Sequence, residues 1–193
     1  MSFEQTLMYF AAPALCGLKS ANLISAKPAA SSAQILSQWN KELSPSGKRI
    51  VLIRRSKSLN LLFVYDKNIL YQTLSGSSQI LYLKQKGYPV AKGMDALLAE
   101  LFHRLACQPS FPHEIGLFLG YPLEDVICFE KDGGRMSKYS GMWQVYGNVE
   151  EARRQMQLYR QCSANCRNYL DMGMNIPYIS THYKSIVTGG IGQ

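Results

Sequence analysis

The sequence has no apolar run of the length that a membrane-spanning helix needs. Such a helix takes about 18 or more apolar residues in a row, and the longest apolar stretches here carry Arg, Lys or Asp at their edges. The N-terminal segment also lacks the basic region and the long apolar region of a secretory signal. We therefore expect no membrane span, no export by that route and a cytoplasmic protein.

Motifs for common cofactor and metal sites are absent as well. No Gly-x-x-x-x-Gly-Lys phosphate loop occurs, and Leu117 stands where a metalloprotease helix would need a second histidine after His113. Cys162 and Cys166 have no second cysteine pair at the spacing of a zinc site. These motifs thus identify no metal-binding residues, and any bound metal or cofactor stays unknown.

The five cysteines form an odd number and are scattered along the chain, mostly within apolar segments. This pattern is typical of reduced thiols that pack as small apolar side chains. Cys166 falls on the apolar face of a long predicted helix, and Cys162 is expected at the margin of that face. Cys16 follows Pro13 and could be a nucleophile near a helix N-terminus, if a histidine lay close to it. Whether Cys16, Cys162 and Cys166 are more than core thiols stays open at this point.

Acidic residues are fewer than basic ones, 13 against 21, which gives a formal net charge of +8. Excess positive charge can attract phosphates or anionic surfaces. Two basic segments are the candidate anion sites, with Arg54 and Arg55 in the first and Arg135 and Lys138 in the second. The second also has glycines that allow close backbone approach, and Tyr139, which could stack on a base. Nucleic-acid binding is therefore a hypothesis from charge, unsupported by a motif.

A hydrophobic content of 47% and an aromatic content of 11% are enough to build a buried core. The 193 residues show no internal repeat and no linker, so we expect a single domain over 1–193. The glycine-rich end predicts a flexible tail over about 186–193.

Apolar periodicity predicts an α+β fold with an antiparallel sheet of about four strands. Runs near 50–53 and 61–65 predict one strand pair, and runs near 126–130 and 142–146 predict a second pair. Several helices are expected to pack this sheet. The two predicted helices with the longest apolar faces are one over 94–107 and a long C-terminal helix from Asn148 to Gly173.

The N-terminal part is predicted to be mainly helical. Ser2 and Gln5 form a capping-box pattern at the start of a first helix. The stretch over 14–25 fits a short second helix or a structured loop, and Ser31 or Ser32 can cap a third helix.

The densest group of polar and turn-forming residues lies between Phe111 and Val126. His113, Glu114, Glu124 and Asp125 offer imidazole and carboxylate groups that can bind a metal or exchange a proton. A structural explanation is also open, since Glu114 suits the first turn of a helix and Asp125 suits a turn before a strand. We expect a short helix that leads into a strand to bring His113 and Asp125 together.

Four segments carry a family resemblance: Ala12 to Leu23, Phe111 to Val126, Gly141 to Gly147 and Tyr159 to Cys162. Together they resemble an uncharacterised bacterial family, domain of unknown function 3793. The resemblance spans most of the chain and implies a cytoplasmic protein of anaerobic bacteria, without an established activity, cofactor or catalytic residue. It also implies a small residue at the position of Cys16, which weakens the nucleophile hypothesis. The candidate site residues within these motifs are Lys19, Asn22, His113, Glu114, Tyr121 and Asp125.

The leading hypothesis is a non-catalytic binding or accessory protein that uses the region from His113 to Asp125 as a recognition surface. The motif favours this function because it lacks a complete catalytic set. The main alternative is a small hydrolytic or redox enzyme that uses His113 with Asp125, Glu114 or a cysteine. The third is a nucleic-acid-binding protein with its basic residues on one face. The ligand and the partner stay unknown.

Overall fold

The computed structural model describes residues 2–28, 33–108 and 110–189. Within these ranges it contains ten α-helices and five β-strands, so the predicted α+β class is confirmed. The chain separates into two compact units. Unit 1 comprises Met1–Ile69 and Leu158–Gln193, and unit 2 comprises Leu70–Gln157. The expectation of a single domain stays a prediction.

The described helices are short, except for one of 23 residues. They are α1 (Phe3–Phe10), α2 (Ala12–Leu15), α3 (Ala33–Leu43), α4 (Lys67–Leu74), α5 (Ser77–Gln85), α6 (Met94–Cys107), α7 (Ile115–Phe118), α8 (Leu123–Asp132), α9 (Val149–Asp171) and α10 (Ile176–Gly189). The long helix predicted from Asn148 is confirmed as α9, and the Asn148 side chain caps it by accepting a hydrogen bond from the Glu151 amide at 3.1 Å. The capping box of Ser2 and Gln5 is confirmed at α1. The predicted caps Ser31 and Ser32 lie outside the described residues.

Unit 1 is built on a three-stranded antiparallel sheet with the strand order β1-β3-β2. Its strands are β1 (Ala21–Ala26), β2 (Lys48–Arg54) and β3 (Asn60–Asp66). The strand pair predicted near 50–53 and 61–65 is therefore confirmed as β2 and β3. The helix or loop expected over 14–25 is wrong for the residues of β1. This short strand is stabilised by pairing with the central strand, from Ala21 opposite Tyr65 to Ala26 opposite Asn60.

The core of unit 1 lies between this sheet and the helices that cover it. α1 packs against β1, α2 against β3 and α3 against β2, and α10 contacts α2 and α3. The core includes Leu7, Leu15, Leu43, Ile50, Leu62, Ile179 and three cysteines, Cys16, Cys162 and Cys166. The thiols of these cysteines are thus part of the hydrophobic interior.

Unit 2 is mainly helical and contains a small two-stranded sheet. Its antiparallel strands are β4 (Tyr139–Ser140) and β5 (Gln144–Val145), which form a hairpin. The predicted helix over 94–107 is confirmed as α6, whose buried residues are Met94, Leu97, Leu98, Leu101 and Leu105. In the part of unit 2 that is described, α7 packs against α8, and α8 packs against β5.

The second predicted strand pair does not form as expected, because its first segment, 126–130, is not a strand. Residues 126–130 belong to the helix α8, and the run near 142–146 contributes only the two residues of β5. Pro122 precedes α8, two carboxylates stand in its first turn, and Gly133 ends it with a φ of 67°. These start and stop signals outweigh the short apolar run that resembles a strand.

The end of the described chain is helical. α10 runs to Gly189, so the first part of the expected flexible tail forms a helix. Residues 190–193 lie outside the described residues. Among the residues that the structure describes, none of the helices has both the length and the apolarity that crossing a bilayer requires.

Candidate functional site

The segment from Phe111 to Val126 lines a cavity of about 320 Å³ in unit 2. Its walls are mainly apolar and aromatic, and include Phe111, Ile115, Leu119, Phe129, Met142 and Trp143. The polar side chains in its lining are His113, Tyr121, Asp125 and Gln144. We call this space the aromatic cavity. The structure places three of the sequence-predicted candidates, His113, Tyr121 and Asp125, around it.

The walls of the aromatic cavity come from α7, α8 and the β4–β5 hairpin. A Cβ atom at Gly116 in α7 would lie only 2.9 Å from Cγ2 of Val126 and 3.2 Å from Cδ2 of Tyr121. A glycine at this position therefore permits the close approach of α7, α8 and the Tyr121 ring. Tyr121 in turn stacks on Trp143, with the ring centroids 4.9 Å apart. This stacking ties the hairpin to the connection between α7 and α8.

Asp125 is buried and accepts three hydrogen bonds from the hairpin and the residues after it. Nε1 of Trp143 donates to Oδ2 at 2.8 Å, and the amides of Tyr146 and Gly147 donate to Oδ1 at 2.7 and 3.0 Å. These donors use most of the accepting capacity of the carboxylate. Asp125 lies in the first turn of α8 and not in a turn before a strand. Its geometry is that of a residue that fastens the hairpin to α8.

His113 lies on the solvent-exposed side of the aromatic cavity. Its ring packs edge-on against Phe129, with the ring centroids 5.3 Å apart. Within the described chain, no carboxylate or thiol forms a hydrogen bond with the imidazole. His113 and Asp125 thus line the same cavity without forming a catalytic pair in this structure.

Glu114 lies outside the lining of the aromatic cavity and belongs to a buried ion-pair network. Nη1 of Arg104 donates to Oε1 of Glu114 at 2.8 Å, and the Tyr88 hydroxyl donates to the same oxygen at 3.2 Å. The Arg104 guanidinium also lies 4.1 Å from the centroid of the Tyr88 ring. Burial, together with the neighbouring Glu114 carboxylate, raises the pKa of the Tyr88 hydroxyl. Glu114 therefore stabilises the packing of unit 2.

Lys19 and Asn22 belong to unit 1. Lys19 lies between α2 and β1, and Asn22 lies within β1. Lys19 is buried, and the loss of hydration lowers the pKa of its ammonium group to about 7. Its Nζ lies 5.8 Å from the centroid of the Tyr159 ring. Oδ1 of Asn22 is buried and accepts no hydrogen bond within the described residues. The six candidates from the sequence are thus divided between the two units.

The four basic candidates are all exposed and are also divided between the units. Arg54 and Arg55 lie at and after the end of β2 in unit 1. In unit 2, Nε of Arg135 donates to the carbonyl of Asp132 at 2.9 Å, and Nζ of Lys138 donates to a backbone carbonyl at 3.4 Å. The expectation that the four share one basic face stays a prediction.

The structure brings together three cysteines that are distant in the sequence. Cys16 follows α2, whereas Cys162 and Cys166 lie one turn apart in α9. The Sγ atoms of Cys16 and Cys166 are 3.4 Å apart, and those of Cys162 and Cys166 are 4.0 Å apart. All three Sγ atoms lie within 4.8 Å of one another. We call this group the thiol cluster. Its sulfurs are free thiols, since a disulfide bond would bring two of them to about 2.05 Å.

The three thiols and one tyrosine share a set of hydrogen bonds. Bonds from Cys16 and Cys166, and a further bond from the Tyr183 hydroxyl, lower the pKa of the Cys162 thiol. Hydrogen bonding to Cys162 and Cys166, together with burial, raises the pKa of the Cys16 thiol. Nδ2 of Asn165 donates to the Tyr183 oxygen at 3.4 Å. The surroundings of Cys162 therefore favour its thiolate form.

Sequence reasoning missed the thiol cluster. The expectation that Cys162 lies at the margin of the apolar face is wrong, because Cys162 and Cys166 are both 0% exposed. Tyr183 of α10 contacts Cys162, so a second helix covers the side of α9 that the periodicity assigns to the margin. The one local signal is the spacing of four residues between the cysteines of α9. Cys16 carries no local signal, because it precedes Cys166 by 150 residues.

The fold and these sites define an α+β protein with an aromatic cavity in one unit and a cluster of buried thiols in the other. The chain matches the family described as Protein of unknown function (DUF3793) over residues 7–180. Because this match covers far more than half of the chain, the protein belongs to that family, as the resemblance predicts. No curated protein and no solved structure matches the chain.

Proposed function

We propose that this chain is a non-catalytic binding or accessory protein whose ligand enters the aromatic cavity of unit 2. One observation carries the proposal: a space of about 320 Å³ is lined by aromatic side chains, while the carboxylates of the same motif hold the fold together. Cavities of about 300 Å³ and larger are typical of small-molecule sites. Binding is favoured over catalysis because neither Asp125 nor Glu114 is directed at the imidazole of His113.

The lining supports a planar apolar ligand that carries one polar or anionic group. Phe111 is 53% exposed and Met142 is 42% exposed, and a ligand in the cavity would cover part of both side chains. The stacked rings of Tyr121 and Trp143 offer a further surface for an aromatic ring. The imidazole of His113 supplies a hydrogen-bond donor and an acceptor on the solvent side.

The enzyme hypothesis remains as the alternative and makes a different prediction. It requires a second group to approach His113 when a substrate binds, since catalytic hydrogen bonds are often long in an unliganded protein. Turnover of a substrate that is lost in His113→Ala and retained in a binding-competent Asp125→Asn protein would favour catalysis by the imidazole. The nucleic-acid hypothesis predicts instead an affinity that falls steeply with salt and depends on Arg54, Arg55, Arg135 and Lys138.

We further propose a reducing, cytoplasmic location. The support for it comes from the free thiols of Cys16 and Cys166, whose Sγ atoms are only 3.4 Å apart. Thiols in such proximity are prone to oxidation in compartments that favour disulfides.

The proposal is tested by filling the cavity. Leu119 lines it, so Leu119→Trp should occupy part of the space, whereas Leu81, which is 57% exposed and lies outside the lining, gives the matched control Leu81→Trp. Indole and indole-3-carboxylate serve as probes in saturation-transfer NMR, and circular dichroism verifies that both variants are folded. The wild type and Leu81→Trp should bind indole, and Leu119→Trp should bind it at least about 10-fold more weakly, a loss of about 1.4 kcal/mol.

A second comparison tests the part played by the imidazole. His113→Ala should weaken the binding of indole-3-carboxylate more than that of indole, because only the carboxylate can accept a hydrogen bond from the imidazole N–H, and a hydrogen bond to a charged group is the stronger kind. If the folded wild type binds neither probe, or if Leu119→Trp binds indole as well as Leu81→Trp does, the proposed function is wrong.

A further inference from the structure

The thiol cluster of unit 1 has the dimensions of a three-sulfur metal site. Metal–thiolate bonds of about 2.3 Å place the sulfurs of a tetrahedral or trigonal site about 3.8 to 4.0 Å apart. The sulfurs of Cys162 and Cys166 are 4.0 Å apart, those of Cys16 and Cys166 are 3.4 Å apart, and all three lie within 4.8 Å of one another. The observed separations bracket the required value, so one ion could contact all three sulfurs after small side-chain rotations.

The elements that carry the three sulfurs are held in place independently of any ion. Cys162 and Cys166 occupy successive turns of the 23-residue helix α9, where residues four apart lie on the same face. The amide of Cys16 donates to the carbonyl of Ala12 at 2.8 Å, which holds it at the end of α2. Such preorganisation lowers the entropic cost of binding a ligand.

The surroundings are also those of a metal site. Cys162 and Cys166 are 0% exposed and Cys16 is 3% exposed, so an ion between them would be shielded from water. The Tyr183 hydroxyl donates to the sulfur of Cys162, and the Asn165 amide donates to the Tyr183 oxygen. Hydrogen bonds of this kind orient the ligands of metal sites and tune their affinity.

We propose that Cys16, Cys162 and Cys166 bind a thiophilic metal ion, with Cu⁺ and Zn²⁺ as the two ions to be distinguished. Sulfur ligands select soft or borderline cations over Mg²⁺, Ca²⁺ and Mn²⁺. Three thiolates suffice for a trigonal Cu⁺ ion. Zn²⁺ would need a fourth ligand such as water, since no other Cys, His, Asp or Glu of the described residues joins the cluster. Binding replaces the protons of the thiols with the ion, so the affinity should rise with pH.

Two cysteines outside the cluster provide the controls. Cys107 is exposed and Cys128 is half-buried, and neither belongs to the thiol cluster. A Cys107→Ser/Cys128→Ser protein, kept reduced and free of oxygen, is titrated with Zn²⁺ against a chromogenic chelator and with Cu⁺ against bicinchoninate. Co²⁺ added in place of Zn²⁺ reports sulfur ligands through its charge-transfer absorption in the near ultraviolet.

The background protein and the wild type should each bind one equivalent of at least one of the two ions. Cys166→Ala in this background should lose at least about 100-fold in affinity, because changes that affect only the groups around the ligands already cost 10- to 100-fold. Tyr183→Phe keeps all three sulfurs and should lose about 10-fold. Alanine introduces no polar group at the buried position 166, so Cys166→Ala should still fold. The melting transition of each variant verifies this.

Three results would overturn the proposal. The first is that the reduced background protein takes neither Zn²⁺ nor Cu⁺ from the chelators. The second is that Cys166→Ala binds the ion as tightly as the background protein does. The third is that mass spectrometry of protein purified with its native metal content finds two of the three cysteines joined in a disulfide and no bound ion. The indole experiments on unit 2 are independent of all three results.

Discussion

Replacing Asp125 by asparagine should destabilise the protein although the side chain keeps its shape. The amide oxygen of Asp125→Asn can still accept from the amides of Tyr146 and Gly147, which now lie 2.7 and 3.0 Å from Oδ1. The amide nitrogen then faces Nε1 of Trp143, which now donates to Oδ2 at 2.8 Å. Two donors in this position cannot form a hydrogen bond, and the two remaining bonds lose their charge.

The expected magnitude follows from these contacts. A hydrogen bond to a charged group contributes about 1.5 to 3 kcal/mol, and a buried donor without an acceptor costs about 1 to 3 kcal/mol. One bond is lost and two are weakened, so Asp125→Asn should lower the free energy of unfolding by about 2 to 4 kcal/mol. Urea denaturation followed by circular dichroism measures this value.

Two further substitutions separate the effect of the lost hydrogen bond to Trp143 from the effect of the lost charge near the start of α8. Glu124 lies in the same first turn of α8 and is exposed, so Glu124→Gln removes a similar helix-dipole interaction and should cost about 1 kcal/mol or less. Trp143→Phe removes the opposing donor, so it should be less destabilising in the Asp125→Asn background than in the wild type. The reasoning is refuted if Asp125→Asn costs no more than Glu124→Gln, or if the two effects at 125 and 143 are additive.

Three further substitutions test other parts of the structure by the same denaturation assay. Gly116→Ala should cost about 1 to 3 kcal/mol, since its methyl group meets Val126 at 2.9 Å, whereas Gly76→Ala meets only the movable end of Gln79 and should cost less than about 1 kcal/mol. Glu114→Ala should cost about 1.5 to 3 kcal/mol, because it removes the more buried of the two carboxylates that pair with Arg104 and takes the acceptor from the Tyr88 hydroxyl, and Glu100→Ala, which removes the more exposed partner of that arginine, should cost clearly less. For Lys19, burial lowers the pKa from 10.5 to about 7, so the unfolded state binds more protons between these values and stability rises with pH there. Lys19→Met should remove this dependence, which amounts to at most about 1.4 kcal/mol per pH unit. The packing argument is contradicted if Gly116→Ala and Gly76→Ala cost the same stability, and the ion-pair argument is contradicted if Glu114→Ala and Glu100→Ala do. The argument for Lys19 is contradicted if the stabilities of the wild type and Lys19→Met depend on pH in the same way.

The elements with a long, regular apolar pattern could be predicted from the sequence. α6 and α9 each repeat apolar residues over several turns, and the burial of their faces follows this period. β2 and β3 each contain an uninterrupted apolar run, over 50–53 and 61–65, and they pair as expected. In these elements the local pattern and the tertiary packing favour the same structure.

Short segments could not be assigned in this way. β1 has six residues, and it is a strand because the edge of β3 offers it hydrogen bonds. The apolar run in α8 is equally compatible with a strand or a helix, and the signals at its ends decide. For such segments, the neighbours in space determine the structure.

The candidate sites show the same limit. The motif around His113 could be located from its composition, and its residues do line a cavity. The division of roles within it depends on partners that are distant in the sequence, such as Trp143 for Asp125 and Arg104 for Glu114. The thiol cluster joins residues 150 positions apart, so only the packing of α2, α9 and α10 reveals it.

The central claim, that the aromatic cavity binds a ligand, is tested most directly by fluorine NMR of protein labelled with 5-fluorotryptophan. The chain has two tryptophans: Trp143 lines the cavity, and Trp39, in α3 of unit 1, stacks on Phe3. On titration with indole-3-carboxylate, we expect the Trp143 resonance to shift saturably, while the Trp39 resonance stays at its position. A Trp143 resonance that does not move, or equal and unsaturable shifts of both resonances, would contradict the claim.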